Sequence, residues 1–303
     1  MWCSPASCGT ICAVVRRACE SALSPRVSAC CAILLCVLGV LGACRHEASR
    51  GHGPKLTPLS APSWLIELPV PGFGNAALAV PLGATSPRSI VIMLHGSADR
   101  PEWACSTLRA IAGPEPFVLC PRGVQRTDFG ANDVRYTFGS ADDTARELRA
   151  ALSALKQRFG AHVARGPVIF AGFEIGADHA AWIARQEPAF FSRLLLIEAS
   201  EASWPSSQSA LFGPSGGERV LFAGGPARRA EREQQAVLTG RLGAEARAIF
   251  LGHRPPALDG LSRRLLARHW RWLSAPAQKP PTFDNLAGNP LPAGGPVTGR
   301  PAP

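Results

Sequence analysis

The segment GPVIFAGFEIGADHAAWIARQEPAF, residues 166–190, constrains the fold of this chain more than any other. It opens with a short apolar run, residues 168–171, whose length and β-branched content are typical of a buried strand. Gly172 and Gly176 then bracket a short turn, and an apolar-periodic helix follows. The pattern predicts a strand, a sharp turn and a helix, with Glu174 at the amino terminus of the helix.

The composition favours one α/β domain without a nucleic-acid partner. The chain has 303 residues, and 46% of them are hydrophobic, which is enough for a core of that size. The formal net charge is +10, but the arginines are scattered and form no basic run with interleaved aromatic residues. Such a distribution is typical of a solvated surface rather than of a nucleic-acid interface. We expect no metal and no cofactor, because the clustered cysteines match no zinc-site spacing.

The amino terminus has the features of a targeting segment. Residues 27–43 form an uncharged apolar run, shorter than the about 20 residues of a membrane-spanning helix and typical of a signal peptide. The run ends in LGAC, residues 41–44, which resembles the cleavage site of bacterial lipoproteins. The resemblance implies that residues 1–43 are a signal peptide and that Cys44 carries a lipid. An ordinary signal peptide or an uncleaved anchor is the alternative.

A lipid on Cys44 would place the protein in a bacterial cell envelope, on the periplasmic or outer-membrane side, with the membrane as a partner. In that oxidising compartment the separation of Cys105 and Cys120 allows a disulfide, and two buried thiols are the alternative. Residues 44–63 are polar and rich in proline and glycine, which predicts a tether. Residues 276–303 have a similar composition, which predicts a disordered tail.

The chain between residues 64 and 275 alternates predicted strands with predicted helices. Besides the strand and helix described above, strands are predicted at 64–68, 76–80, 89–94, 117–120, 193–198, 219–223 and 246–251, and helices at 105–111, 140–159, 228–242 and 261–273. This alternation indicates a mostly parallel sheet covered by helices on both faces. In such a sheet the ligand crevice lies at the carboxyl ends of the strands.

The order of elements and the glycine-bracketed turn resemble the α/β-hydrolase superfamily, which has a doubly wound, mostly parallel sheet. The nucleophile elbow of that family reads G-x-S-x-G, and here Glu174 stands in the place of serine. The sequence His95-Gly96-Ser97 after a predicted strand is similar to the oxyanion-side loop of the family. The resemblance implies that the backbone N–H groups of Gly96, Ser97 and Ile175 face a developing oxyanion, and that His95 has a structural role.

The resemblance also indicates a base and an acid. His253 follows the last predicted strand, where the family keeps its general base. The loop that usually supplies the acid reads GGPARRAERE and lacks aspartate, whereas the minority position, one strand earlier, offers Glu198 and Glu201. Arg228 occupies the usual acid loop, and we expect Glu174 to pair either with Arg228 or with His253.

Three functions remain open from the sequence. We favour a lipid-anchored envelope protein that lacks serine-hydrolase activity and retains a crevice for a small-molecule ligand. The second is an active hydrolase of an ester or similar small substrate that uses His253 with the carboxylate of Glu174. The third is an envelope binding module that uses the crevice or the proline-rich tail.

Only residues 199–218 separate the strands between which a cap domain would be inserted, so no cap is expected.

Overall fold

The computed structural model describes residues 55–130, 132–252 and 260–275. Several predicted features lie outside these residues: the signal peptide at 1–43, the lipidation site Cys44, the first part of the tether, His253 and the tail at 276–303.

Ten strands and six α-helices make up the described part of the chain. The strands are β1 (Leu65–Leu68), β2 (Ala76–Ala79), β3 (Ile90–Leu94), β4 (Phe117–Cys120), β5 (Val124–Gln125), β6 (Tyr136–Thr137), β7 (Ile169–Phe173), β8 (Arg193–Ile197), β9 (Arg219–Gly224) and β10 (Glu245–Phe250). The helices are α1 (Pro101–Ala112), α2 (Ala141–Phe159), α3 (Ile175–Gln186), α4 (Ser206–Phe212), α5 (Arg229–Arg241) and α6 (Gly260–Ser274).

The main sheet has the strand order β1-β2-β4-β3-β7-β8-β9-β10, and β5 and β6 form a separate ribbon. Strand β2 pairs antiparallel with β1 and β4, whereas β4, β3, β7, β8, β9 and β10 are parallel to one another. Strands buried on both faces carry continuous apolar runs, which is why β3, β4 and β8 could be recognised in the sequence. The predicted fold class, a doubly wound and mostly parallel sheet, is confirmed.

Helices cover both faces of the sheet. Side chains of α2, α3, α4 and α5 pack in one core cluster, and side chains of α1 and α6 pack in a second. Strand β3 divides its residues between the two clusters: Ile90, Ile92 and Leu94 face the first, and Val91 and Met93 face the second. The alternation follows the two-residue period of a strand, so the sheet separates two hydrophobic layers.

The chain joins the domain earlier than the predicted boundary at residue 64. Residues 55–63 fall within the predicted tether, yet Leu59 is only 5% exposed. Its N–H donates to Ala84 O at 3.0 Å, and its carbonyl accepts from Gly83 N at 2.8 Å. A single buried leucine in a proline-rich segment leaves no periodic pattern, so composition alone does not reveal these contacts.

Two other elements differ from the sequence prediction. Helix α1 begins at Pro101 rather than at residue 105, because proline fits the first turn of a helix, where its missing N–H is not needed. Helix α4 and the ribbon β5–β6 lie in segments where no element was predicted, since such short elements give little periodic signal.

Cys105 and Cys120 form a disulfide, with their Cα atoms 5.8 Å apart. The bond joins α1 to β4, and both residues are fully buried. Within the described ranges, no helix combines the length and the apolar character needed to cross a membrane.

Candidate functional site

The segment at residues 172–176 adopts the geometry of an elbow. Glu174 connects β7 to α3 with φ of 50° and ψ of −120°, a conformation that non-glycine residues rarely adopt. Its N–H donates to Ile197 O at 2.9 Å, and its carbonyl accepts from the N–H groups of Ala177 at 2.9 Å and Asp178 at 3.1 Å. Backbone hydrogen bonds on both sides therefore hold the residue in its strained conformation.

The two bracketing glycines allow backbone to pack on backbone. A Cβ atom on Gly172 would lie 2.4 Å from Gly176 O, and one on Gly176 would lie 2.4 Å from Leu94 O and 2.5 Å from His95 O. No side chain fits at such distances, and the surrounding atoms are backbone atoms that cannot move aside. Helix α3 thus sits directly against the carboxyl ends of β3 and β7.

The carboxylate of Glu174 lies beside Gly96. A Cβ atom built on Gly96 would lie 3.0 Å from Glu174 Oε2 and 2.8 Å from Phe173 Cδ1. The Glu174 side chain is half-buried and leans towards β3. The structure therefore brings the elbow residue together with Gly96, one of the residues predicted on the oxyanion side.

His95 orders the loop that follows β3. It is fully buried, its Nδ1 lies 2.8 Å from Gly96 O, and its Nε2 lies 2.9 Å from Arg122 O. The ring stacks on Phe138 with a centroid distance of 4.5 Å. Both ring nitrogens are engaged by backbone carbonyls, so His95 ties the loop to the segment after β4, in line with the structural role expected for it.

Asp99 is a component of this loop that the sequence did not reveal. Its Oδ1 accepts from Arg100 N at 2.7 Å. Burial raises the pKa of Asp99, and the Arg100 N–H, the His95 and Arg135 side chains and the Gly96 N–H act in the opposite direction. An aspartate just before an Arg-Pro helix start, where its side chain can accept local N–H groups, was the available signal.

Ser97 lies at the surface of the same loop. Its hydroxyl oxygen accepts a hydrogen bond from Arg126 Nη1 at 2.9 Å, and Arg126 in turn forms an ion pair with Asp128. The segment between β5 and β6 therefore lies across the outer side of the predicted oxyanion loop.

Glu147 on α2 is a second buried carboxylate near the site. It is 4% exposed, and its Oε1 accepts from Arg122 N at 2.8 Å and from Gly123 N at 3.0 Å. Burial raises the pKa of Glu147, and those N–H groups and the nearby His95 oppose the shift. Because His95 binds the Arg122 carbonyl, Glu147 supports the oxyanion-side loop through this shared segment.

Glu198 lies at the end of β8 and leans away from the elbow. Its φ is 53°, and its Oε1 accepts from Gly225 N at 2.6 Å. The carboxylate therefore supports the loop after β9, on the side where β10 ends. The other predicted acid, Glu201, lies exposed in a 3₁₀ turn, Glu201–Ser203.

Two arginines lie shortly after β9, Arg228 in the loop that was compared with the acid loop of the α/β-hydrolases and Arg232 in the first turn of α5. Arg228 Nη1 donates to Ala199 O at 2.8 Å, and the fully buried Arg232 donates to the same carbonyl. Burial lowers the pKa of Arg232, and Glu231, Glu198 and Asp178 oppose that shift. Arg228 thus fixes the chain after β8 through Ala199.

The strand register shows how these groups lie along the sheet edge. Leu94 pairs with Gly172, Phe173 pairs with Ile197, and Ile197 pairs with Ala223. The Gly96 loop, Glu174 and Glu198 accordingly follow three adjacent strands, with Glu174 leaning towards β3 and Glu198 towards β9. In the part of the chain that the structure describes, no group of three or more His, Cys, Asp or Glu side chains is arranged to hold a metal ion.

Comparison with solved structures supports the α/β-hydrolase-like fold. A protein described as a predicted CIB-like hydrolase from Thermoplasma acidophilum is 12% identical, with a TM-score of 0.50 over 69% of this chain and 98% of that one. Est1E from Butyrivibrio proteoclasticus is 11% identical, with a TM-score of 0.48 over 68% and 97% of the two chains. Dienelactone hydrolase from Anabaena variabilis is 13% identical, with a TM-score of 0.48 over 71% and 97%. No family model and no curated protein sequence matches the chain.

Replacing Gly176 with alanine is expected to lower the free energy of unfolding by about 3 kcal/mol, because the new Cβ would overlap backbone oxygens of β3 and its loop. The matched control is Gly240→Ala in α5, where no atom lies within 4 Å of an added Cβ. That control is expected to gain roughly 0.5 kcal/mol from the better helix propensity of alanine. Urea unfolding measures both. Equal stability of the two variants would contradict the backbone contact.

Glu147→Gln is expected to remove one component of the pH dependence of stability. Because burial raises the pKa of Glu147, the folded protein binds more protons than the unfolded chain in the window just above the ordinary glutamate pKa. Wild-type stability relative to Glu147→Gln should therefore fall as pH rises from about 4 through that window. Urea unfolding at several pH values measures the difference, with the exposed Glu233→Gln as control. If the stability of the wild type relative to Glu147→Gln instead increased with pH, the pKa of Glu147 would be lowered by folding and the prediction would be wrong.

Proposed function

We propose that this protein is a lipid-anchored envelope protein whose α/β-hydrolase fold lacks serine-hydrolase activity. The observation that carries the proposal is Glu174, which occupies the elbow with its carboxylate beside Gly96. The proposal rests on two physical consequences of this placement. A carboxylate supplies no hydroxyl for an acyl-enzyme ester, and it puts a negative charge where an ester substrate would develop one.

The size of the electrostatic effect favours an inactive site. Two unit charges about 4 Å apart repel by about 4 kcal/mol at an effective dielectric constant of 20. One donor of an oxyanion hole contributes roughly 2.7–4 kcal/mol to stabilisation of the transition state. An ionised Glu174 would therefore offset about one such donor.

A second candidate is an active hydrolase that uses Glu174 as a carboxylate nucleophile or base. The orientation of Glu198 favours it: its carboxylate binds Gly225 N at 2.6 Å, at the end of β9 and next to β10. His253 follows β10 closely in the sequence, so Glu198 is a suitable acid for a base at that position. In this alternative the strained backbone conformation of Glu174 would position its carboxylate for reaction with the substrate.

The envelope location is the part of the proposal that rests on the sequence. The apolar run at 27–43 and the LGAC sequence at 41–44 support a lipid anchor. The Cys105–Cys120 disulfide fits an oxidising compartment, because disulfides rarely persist in a reducing cytosol. We place the protein on the periplasmic or outer-membrane side, with a small-molecule ligand in the crevice.

The activity is tested by a hydrolysis screen with short-chain p-nitrophenyl esters on residues 45–303. Wild type and Glu174→Ala are expected to be inert. Glu174→Ser restores the missing hydroxyl in the same strained geometry and should exceed Glu174→Ala by about 100-fold. Adding His253→Ala should abolish that gain. Turnover by the wild type that His253→Ala removes would instead establish the active alternative and refute the proposal.

The anchor is tested by replacing Cys44 with serine in the full-length protein. Wild type is expected to incorporate radiolabelled palmitate and to sediment with membranes, whereas Cys44→Ser should do neither, because serine offers no thiol for the lipid. Cys36→Ser, a neighbouring cysteine in the same apolar run, is the matched control. Palmitate labelling that persists in Cys44→Ser would rule out the proposed lipidation site.

A further inference from the structure

A cavity of about 450 Å³ lies at the amino ends of β3 and β7, at the sheet edge opposite Glu174. Its walls come from the end of α2, from the connection between α2 and β7, and from Phe190 before β8. Its volume falls within the range of small-ligand pockets. Neither the elbow nor the loop around Gly96 contributes to it, so the hydrolase-like site does not account for it.

Apolar side chains form part of the cavity wall. Ile90, Val163 and Val168 are 3%, 8% and 2% exposed, and half-buried Phe190 adds an aromatic face. Backbone contacts hold these walls: Val168 N donates to Phe190 O at 2.9 Å, and Val163 forms a bridge with Arg88. An apolar group that entered would be removed from water without reorganising the protein, which favours binding.

Two cations line the same cavity. Lys156 Nζ lies 5.7 Å from the centroid of the Phe190 ring, and Arg165 is exposed in the connection before β7. Within the described ranges, neither side chain has a carboxylate partner. Many arginines elsewhere on this domain are paired with carboxylates, among them Arg88, Arg100, Arg126, Arg149 and Arg193. Lys156 and Arg165 are thus available to an external anion.

The carboxyl end of α2 also lies at this cavity, and its partial negative charge would repel an anion. This repulsion has to be compared with the attraction exerted by Lys156 and Arg165. A helix carboxyl terminus carries about half a negative charge, and its influence fades within the last turn. Part of this negative charge is already compensated, because the Gly160 N–H donates a hydrogen bond to the Lys156 carbonyl. Two full positive charges on Lys156 and Arg165 exceed that partial charge, so the field at the cavity favours a negative ligand.

We infer that this cavity is a binding site for a small organic anion that carries one carboxylate on an apolar body. Lys156 and Arg165 engage the carboxylate, for which the planar guanidinium offers two parallel donors. The aromatic or branched aliphatic body packs against Val163, Val168 and Phe190. This site is independent of the proposed function, because it lies at the opposite edge of the sheet.

The test is a titration of the full-length protein, in mild detergent, with benzoate. Amide resonances of Gly160 and Gly166, which both line the cavity, report binding. Benzoate is expected to bind saturably, whereas benzyl alcohol, which lacks the charge, and inorganic phosphate, which lacks the apolar body, bind more weakly. Lys156→Gln and Arg165→Gln should each weaken benzoate binding about tenfold, the effect of losing one charge-assisted contact.

The matched control is Arg158→Gln, which removes one positive charge from α2, the helix that carries Lys156. Arg158 points elsewhere, donating to Glu67 O at 3.2 Å, so benzoate binding should be unchanged. All three residues are exposed, and circular dichroism of each variant is expected to match that of the wild type. The inference is overturned if benzoate does not bind saturably, if benzyl alcohol or phosphate binds as tightly, or if the Lys156→Gln/Arg165→Gln double variant retains wild-type affinity.

Discussion

The contact on which the rest of this fold depends is the approach of α3 to the ends of β3 and β7. At Gly172 and Gly176 the approach is so close that an added Cβ would lie within 2.6 Å of backbone atoms. The contact fixes the axis of α3 and directs its amino terminus to the carboxyl edge of the sheet. It also restricts the backbone conformation of Glu174, which connects β7 to α3. A slightly larger separation would relax the elbow and open a gap beneath the crevice, since protein interiors tolerate few voids.

Charged side chains hold the loops on either side of this elbow. On one side Glu147 binds two N–H groups of the segment after β4, and His95 binds the Arg122 carbonyl of that segment. On the other side Arg232 binds the Ala199 carbonyl, while Glu198 binds Gly225 N. Glu147 and Arg232 are buried charges that satisfy backbone groups which the sheet leaves unpaired, and these hydrogen bonds offset the cost of burying them. Side-chain-to-backbone hydrogen bonds therefore position the loops on both sides of the crevice.

Much of the fold could be read from the sequence because its strands are short apolar runs between clear turn signals. β4 and the strand ends near Leu94 and Ile197 lie within a residue or two of the predictions. The elbow could be located because glycine spacing reports backbone contact directly. Leu59 gave no such signal, since one apolar residue among prolines has no period.

The buried polar residues could not be predicted in the same way. Glu147 follows Arg146, and Arg232 lies between Glu231 and Glu233, so each resembles a member of a solvated, charged helix face. Their burial depends on loops that fold over them from distant parts of the chain, at residues 122–123 and 199. Helical periodicity describes only the helix itself, and it contains no information about which loop will cover it.

Strained backbone conformations occur at the carboxyl edge of the sheet. Among residues 55–130, 132–252 and 260–275, three non-glycine residues have positive φ, namely Ala98, Glu174 and Glu198, and all three follow the carboxyl ends of parallel strands. Strain of roughly 1–3 kcal/mol at such a position is often part of a catalytic mechanism. Here, however, the Glu174 N–H donates to Ile197 O, and its carbonyl accepts from the N–H groups of Ala177 and Asp178, so backbone hydrogen bonds hold the conformation. The strained elbow is therefore equally compatible with an active and an inactive site, and only the chemistry of the side chain at position 174 distinguishes them.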